Sequence, residues 1–197
     1  MKLRSLVLAL LIAAGASVAA HAQGALYITP IAVRVSNSTV DNSTYSFLGP
    51  NTKSRMFYGV QFGGFYDLPH EYQPKSIEIG LDVRDAVLHG NNALLNSFLV
   101  GPRLAFSPFA HPFHPYVEPF VGDGSTRAPE TSIKINKVQY GVFAGVDYDF
   151  SKHVSWRVVE VGYSSLATAS ATTIGITASI PSATLLNFSS GLTFHLP

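Results

Sequence analysis

From residue 139 to residue 150 the chain changes character at almost every step. Tyr140, Val142, Ala144, Val146, Tyr148 and Phe150 take one parity, and Gln139, Gly141, Phe143, Gly145, Asp147 and Asp149 take the other. Side chains of an extended strand point to opposite faces in turn, so a period of two over this length predicts a strand with one apolar and one mostly polar face. The pattern recurs along the chain. Leu186, Phe188, Leu192, Phe194 and Leu196 oppose Asn187, Ser189, Gly191, Thr193 and His195. Ile77, Ile79, Leu81 and Val83 oppose Glu78, Gly80, Asp82 and Arg84. Met56, Tyr58, Val60, Phe62 and Tyr66 oppose Arg55, Gly59, Gln61, Gly63 and Asp67, and Phe98, Val100, Leu104 and Phe106 oppose Gly101, Arg103 and Ser107.

Three segments are less regular. Residues 25–35 place Tyr27, Ile31 and Val33 opposite Ala32 and Arg34, but Pro30 interrupts them, and residues 115–124 contain Pro119. Proline has no N–H to give to a ladder, so these read as weaker strands or strands with bulges. In residues 154–165, Glu160 falls on the Trp156 face unless the Val158-Val159 pair forms a bulge, which returns it to the polar side.

The expectation is therefore about eight strands, each long enough to cross a bilayer at a tilt. Ile174, Ile176 and Ile180 also alternate, so ten strands fit as well. The connectors 67–74, 109–115 and 151–153 are compact or set by proline. Those at 36–54, 123–136 and 166–182 are long and rich in Ser, Thr, Asn and Gly, with 89–93 the short exception. Short turns at one end and long loops at the other are the outer-membrane pattern, with the turns and N-terminus periplasmic and the loops outside.

Composition decides between a membrane barrel and a soluble one. Hydrophobic residues make up 47% of the 197 residues and charged residues 13%, where a soluble domain carries about 25% charge. A soluble sandwich or lipocalin-like barrel would cover its polar face with Lys, Glu and Asp, whereas here that face is Gly-rich and sparsely charged. The predicted fold class is all-β: an eight-stranded antiparallel up-and-down transmembrane barrel over residues 23–197. Residues 1–22 read as a signal-peptide helix, with Lys2 and Arg4 before an apolar run and Ala20-His21-Ala22 before cleavage at Gln23. The net charge of +1 gives no electrostatic case for nucleic acid. The absence of cysteine excludes disulfides, thiolate metal sites and a cysteine nucleophile.

The polar parity carries Arg34, Arg55, Arg84, Arg103, Lys137 and Arg157 against Glu78, Asp82, Glu118, Asp147, Asp149 and Glu160. An eight-stranded barrel has an interior just wide enough for side chains. Charges packed there are expected to pair into a plug, because an unpaired buried charge is strongly destabilising. A narrow pore is the alternative, although aqueous channels typically need about 16 strands.

The late hairpin adds a resemblance. Gly145-Val146-Asp147-Tyr148-Asp149-Phe150, the turn Ser151-Lys152-His153, then Trp156-Arg157, Glu160 and Tyr163 resemble the corresponding hairpin of small OmpA-like and OmpX-like barrel proteins. The segment Asn187-Phe188-Ser189-Ser190-Gly191-Leu192-Thr193-Phe194 resembles their last strand. The resemblance implies an outer-membrane location, contact with outer-membrane lipid and lipopolysaccharide, and a last strand read by the outer-membrane assembly machinery. It also implies a structural role or a surface ligand met through the long loops.

Candidate chemistry is sparse. His153-Val154-Ser155 resembles the His-x-Ser of outer-membrane lipid A deacylases, with Glu160 the nearest carboxylate, but the topology puts His153 at a periplasmic turn. His70, His111 and His114 lie in the other short turns and read as turn residues rather than metal ligands. No Walker motif or zinc-protease helix is present. The expectation is a protein that is not an enzyme, with no catalytic, metal or cofactor-binding residue and no cofactor.

Overall fold

The computed structural model describes residues 24–40, 46–49, 51–69, 76–106, 112–167 and 182–196. The predicted signal peptide of residues 1–22, His70, His111 and the alternating segment 172–180 lie outside them. The described residues form eight strands: β1 (Gly24–Asn37), β2 (Ser54–Asp67), β3 (Ile77–Gly90), β4 (Ala93–Phe106), β5 (Phe113–Arg127), β6 (Lys134–Asp149), β7 (Val154–Leu166) and β8 (Ala183–His195). Each pairs antiparallel with its sequence neighbours, and β8 closes on β1, so the sheet has no free edge.

The register fixes the shape of the closure. A walk across paired residues runs Tyr27, Gly63, Arg84, Leu99, Gly122, Gln139, Leu166 and Ala183, and re-enters β1 at Asn37, ten residues beyond its start. A stagger of this size inclines the strands to the barrel axis by about 40°, within the usual range for barrels. The loop end of the barrel carries the connectors after β1, β3, β5 and β7. The turn end carries the other three, together with Gly24 and His195.

Alternation runs through the strands, interrupted in β5 where Gly124, Ser125 and Thr126 are buried in succession. The outer wall exposes Tyr58, Leu81, Val121, Tyr140, Tyr163 and Phe188 among many others, an arrangement favourable in lipid and costly in water. The predicted bulge lies where the valine pair stands: Asp147 faces Arg157 while Val146 faces Val159, so Val158 is the extra residue and Glu160 returns to the lumen. Neither awkward proline breaks its strand. Pro119 stands opposite Pro102 in the β4–β5 register, and no ladder pairing forms from Gly101 to Arg103, yet the register is the same on both sides of the gap. Pro30 interrupts pairing with β8 in the same way.

Two expectations need correction. Arg34 is exposed on the outer wall and Tyr27, Ile31 and Val33 are buried inside, the reverse of the predicted facing of β1. The apolar parity of β1 serves the lumen because the barrel interior is itself apolar at the loop end. The long loop expected at 123–136 is mostly strand: β5 and β6 stay paired out to Arg127 and Lys134, leaving residues 128–133 as the connection. The short exception between β3 and β4 is a two-residue hairpin turn, Asn91-Asn92, with φ of 46° and 64°. Positive φ at both central positions matches the right-handed twist of the flanking strands, and Asn tolerates it.

Candidate functional site

The lumen is filled in three layers. At the loop end Val33, Val35, Phe57, Leu88, Leu95, Leu166 and Leu185 point inward and bury one another, and Phe47 and Leu48 of the β1–β2 connection insert between them. Lys137 lies beneath this cap, its ammonium 5.5 Å from the centre of the Phe47 ring.

The middle layer is a charge network centred on Glu160. Five residues on five strands converge on this carboxylate. Gln61 Nε2 and Ser189 Oγ donate to Oε1 at 3.1 and 2.9 Å. Tyr116 Oη and Arg157 Nη1 donate to Oε2 at 2.6 and 3.3 Å, and Arg84 Nη1 reaches both oxygens at 3.1 Å. Arg84 also engages Asp82 through Nε and Glu118 through Nη2. Arg157 Nε and Arg103 Nη2 grip the two oxygens of Asp147 at 3.1 and 3.0 Å. Rings complete the packing: Arg84 lies 4.1 Å from the Phe143 centroid, Arg157 4.3 Å from Tyr27 and Arg103 3.9 Å from Phe65.

The glycines of the polar parity make this layer possible. Gly63 faces Tyr27, Gly145 faces Tyr116 and Gly162 faces Phe143 across neighbouring strands. A Cβ at Gly145 would lie 2.5–2.8 Å from the Tyr116 ring and hydroxyl, and one at Gly63 would meet Tyr27 as closely. Without side chains at these positions the rings lie flat on the wall and leave the axis to the guanidinium groups.

The third layer, at the turn end, opens into a cavity of about 230 Å³ lined by Phe65, Asp67, Glu78, Arg103, His114, Asp147, Asp149 and His195. His114 Nε2 stands 3.0 Å from Asp149 Oδ2. Ser155 Oγ lies 2.5 Å from Asp149 Oδ1 and 2.6 Å from His195 Nε2. The serine flagged by the His-x-Ser motif thus meets His195, not His153. Glu160 belongs to the central network instead. Ser155 is fully buried; its hydroxyl donates to the Asp149 carboxylate, which leaves its oxygen to accept from the Nε2–H of His195. This arrangement binds the last strand to its neighbours; it presents no hydroxyl to a substrate.

The predicted lumen charges are inside except Arg34. The apolar cap was missed, because inward-facing Leu and Val have the same sequence signature as lipid-facing ones. The Asp149–Ser155–His195 contact was missed because it depends on β8 closing the barrel.

A filled, closed, eight-stranded barrel with an apolar outer wall is the architecture of the small bacterial outer-membrane barrels. No family model matches the chain, and no curated protein matches it. Solved structures do resemble it. Neisserial surface protein A aligns over 87% of this chain and 98% of its own at 12% identity, with a TM-score of 0.50. The attachment invasion locus protein Ail of Yersinia pestis aligns over 87% and 96% at 8% identity, with a TM-score of 0.49. The N-terminal β-barrel domain of Pseudomonas aeruginosa OprF aligns over 87% and 99% at 12% identity, with a TM-score of 0.38. The fold is that of an outer-membrane β-barrel.

Proposed function

We propose that the protein is a non-conducting, non-enzymatic barrel of the bacterial outer membrane, with a structural or surface-contact role performed by its loop end. The observation that carries this reading is the filled lumen. An apolar cap and a buried charge network occupy the path a solute would take, and the outer wall suits lipid. A pore would need a wetted axis, and a lipid-modifying enzyme would need a reachable nucleophile; Ser155 is buried. Loops at one end of a rigid barrel are well placed to meet a partner.

Cell fractionation with protease shaving tests the placement. The protein is expected in the outer-membrane fraction of a Gram-negative host, with a protease site inserted at residues 128–133 cut in intact cells. Recovery in the cytosol or inner membrane, or cleavage only after the outer membrane is permeabilised, overturns the placement or the orientation.

A further inference from the structure

The outer wall changes character near the loop end of β5 and β6. Val121, Val138 and Tyr140 are each about half exposed. Asp123, paired with Val138, shares this outward parity; beyond it come the buried Ser125 with the exposed Asn136, and then Arg127 with Lys134, each pair in register. Thr126 and Ile135 between them are buried inward, which leaves both cations on the outside. Like charges directly opposite in a ladder are destabilising. Among the described residues neither cation takes part in an ion pair or a side-chain hydrogen bond. Glu130, exposed at the turn, is the one carboxylate in the 128–133 connection, and the neighbouring 167–182 connection has no charged residue. A cation pair with no ion-pair partner among the described residues, above a wall of Val121, Val138 and Tyr140 interrupted by Asp123, has the chemistry of an anion site at headgroup height.

We propose that Arg127 and Lys134 bind the phosphate of an outer-leaflet lipid. A guanidinium offers paired N–H donors, an ammonium offers a compact charge, and together they suit a phosphate group. Asn136 adds a neutral amide donor on the same wall. The lipid's acyl chains lie along Val121, Val138 and Tyr140 while its phosphate sits between the cations. The headgroup zone adds about 5–7 Å to each side of the hydrocarbon core, so long cationic side chains just above the apolar wall reach it. A soluble anionic polymer would not use the apolar wall below. The proposal rests on the outer-membrane placement argued above.

The test is native mass spectrometry of the refolded full barrel with diphosphorylated lipid A, its dephosphorylated form, inorganic phosphate and a sulfated heparin fragment as separate probes. The parent protein is expected to retain diphosphorylated lipid A and to lose about tenfold in affinity when Arg127→Ala and Lys134→Ala are combined. The charge-keeping pair Arg127→Lys and Lys134→Arg retains most binding, and Lys152→Ala, at the opposite end, leaves it unchanged. Equal binding of the dephosphorylated lipid, an unaffected double variant, or binding of only inorganic phosphate or the heparin fragment overturns the proposal. Heat-modifiable migration and protease resistance in vesicles are recorded for every variant. If the parent fails to insert, the membrane placement fails; if it inserts without phosphate-dependent lipid retention, only this site fails.

Discussion

Arg84 and Glu160 stand 76 residues apart in sequence and meet at the centre of the lumen, where Nη1 of Arg84 lies 3.1 Å from both carboxylate oxygens. Arg157, Tyr116, Gln61 and Ser189 complete the shell around the same group. Removing the carboxylate leaves two buried guanidinium groups short of an acceptor. Glu160→Ala is expected to lower stability by about 3–5 kcal/mol, read as a fall in the urea midpoint of the folded barrel in detergent or vesicles. A loss under about 1 kcal/mol, the range of an exposed pair, would mean that the network does not hold the strands together.

The bulge at Val158 makes an unusual deletion tolerable. Its shift appears in the pairing of β7 with both β6 and β8, so removing the extra residue leaves inside and outside unchanged on either side. Deletion of Val158 is expected to give a folded, heat-modifiable barrel. Deletion of Val161, three residues on, turns Gly162, Ser164 and Leu166 outward and their neighbours inward, and is expected to abolish folding. Equal outcomes for the two deletions would contradict the assigned bulge.

Pro102 and Pro119 face one another in the β4–β5 register, where neither can donate. Replacing both with Val supplies two N–H groups and keeps the outer wall apolar. The double variant is expected to gain about 1–3 kcal/mol from two new ladder bonds and to slow amide exchange at Gly101 and Phe120. Unchanged exchange there would show that the seam is already sealed by other means.

Gly145 and Tyr116 form a coupled pair. Gly145→Ala pushes a methyl group into the tyrosine ring and displaces the hydroxyl from Glu160. A cost of about 1–3 kcal/mol is expected, falling toward zero when Tyr116→Ala is already present. A double-mutant cycle measures that coupling; additive costs would rule out the ring contact as the cause.

The parts of this fold that were legible in the sequence are those governed by local alternation. The phase slip at Val158-Val159 locates the bulge in the sequence itself, because Glu160 has no acceptable place on a lipid-facing wall. The inward Arg84, Arg103 and Arg157 were legible for the same reason. Arg34 was not: Ile31 and Val33 are as apolar as lipid-facing residues, and only the closed barrel shows that they pack against Phe57, Leu95 and Leu185 in the loop-end cap. Phe47 and Leu48 sit in a connection whose local sequence carries no periodicity. Ser155 and His195 are 40 residues apart and come together only when β8 lies between β7 and β1.

The central claim is that the lumen is closed by its own side chains, and single-channel recording in planar bilayers tests it most directly. Purified, refolded protein at densities that give many insertions is expected to produce no current steps above the bare membrane at either polarity. Uniform, ohmic steps that scale with salt concentration would contradict the account and make the barrel a pore.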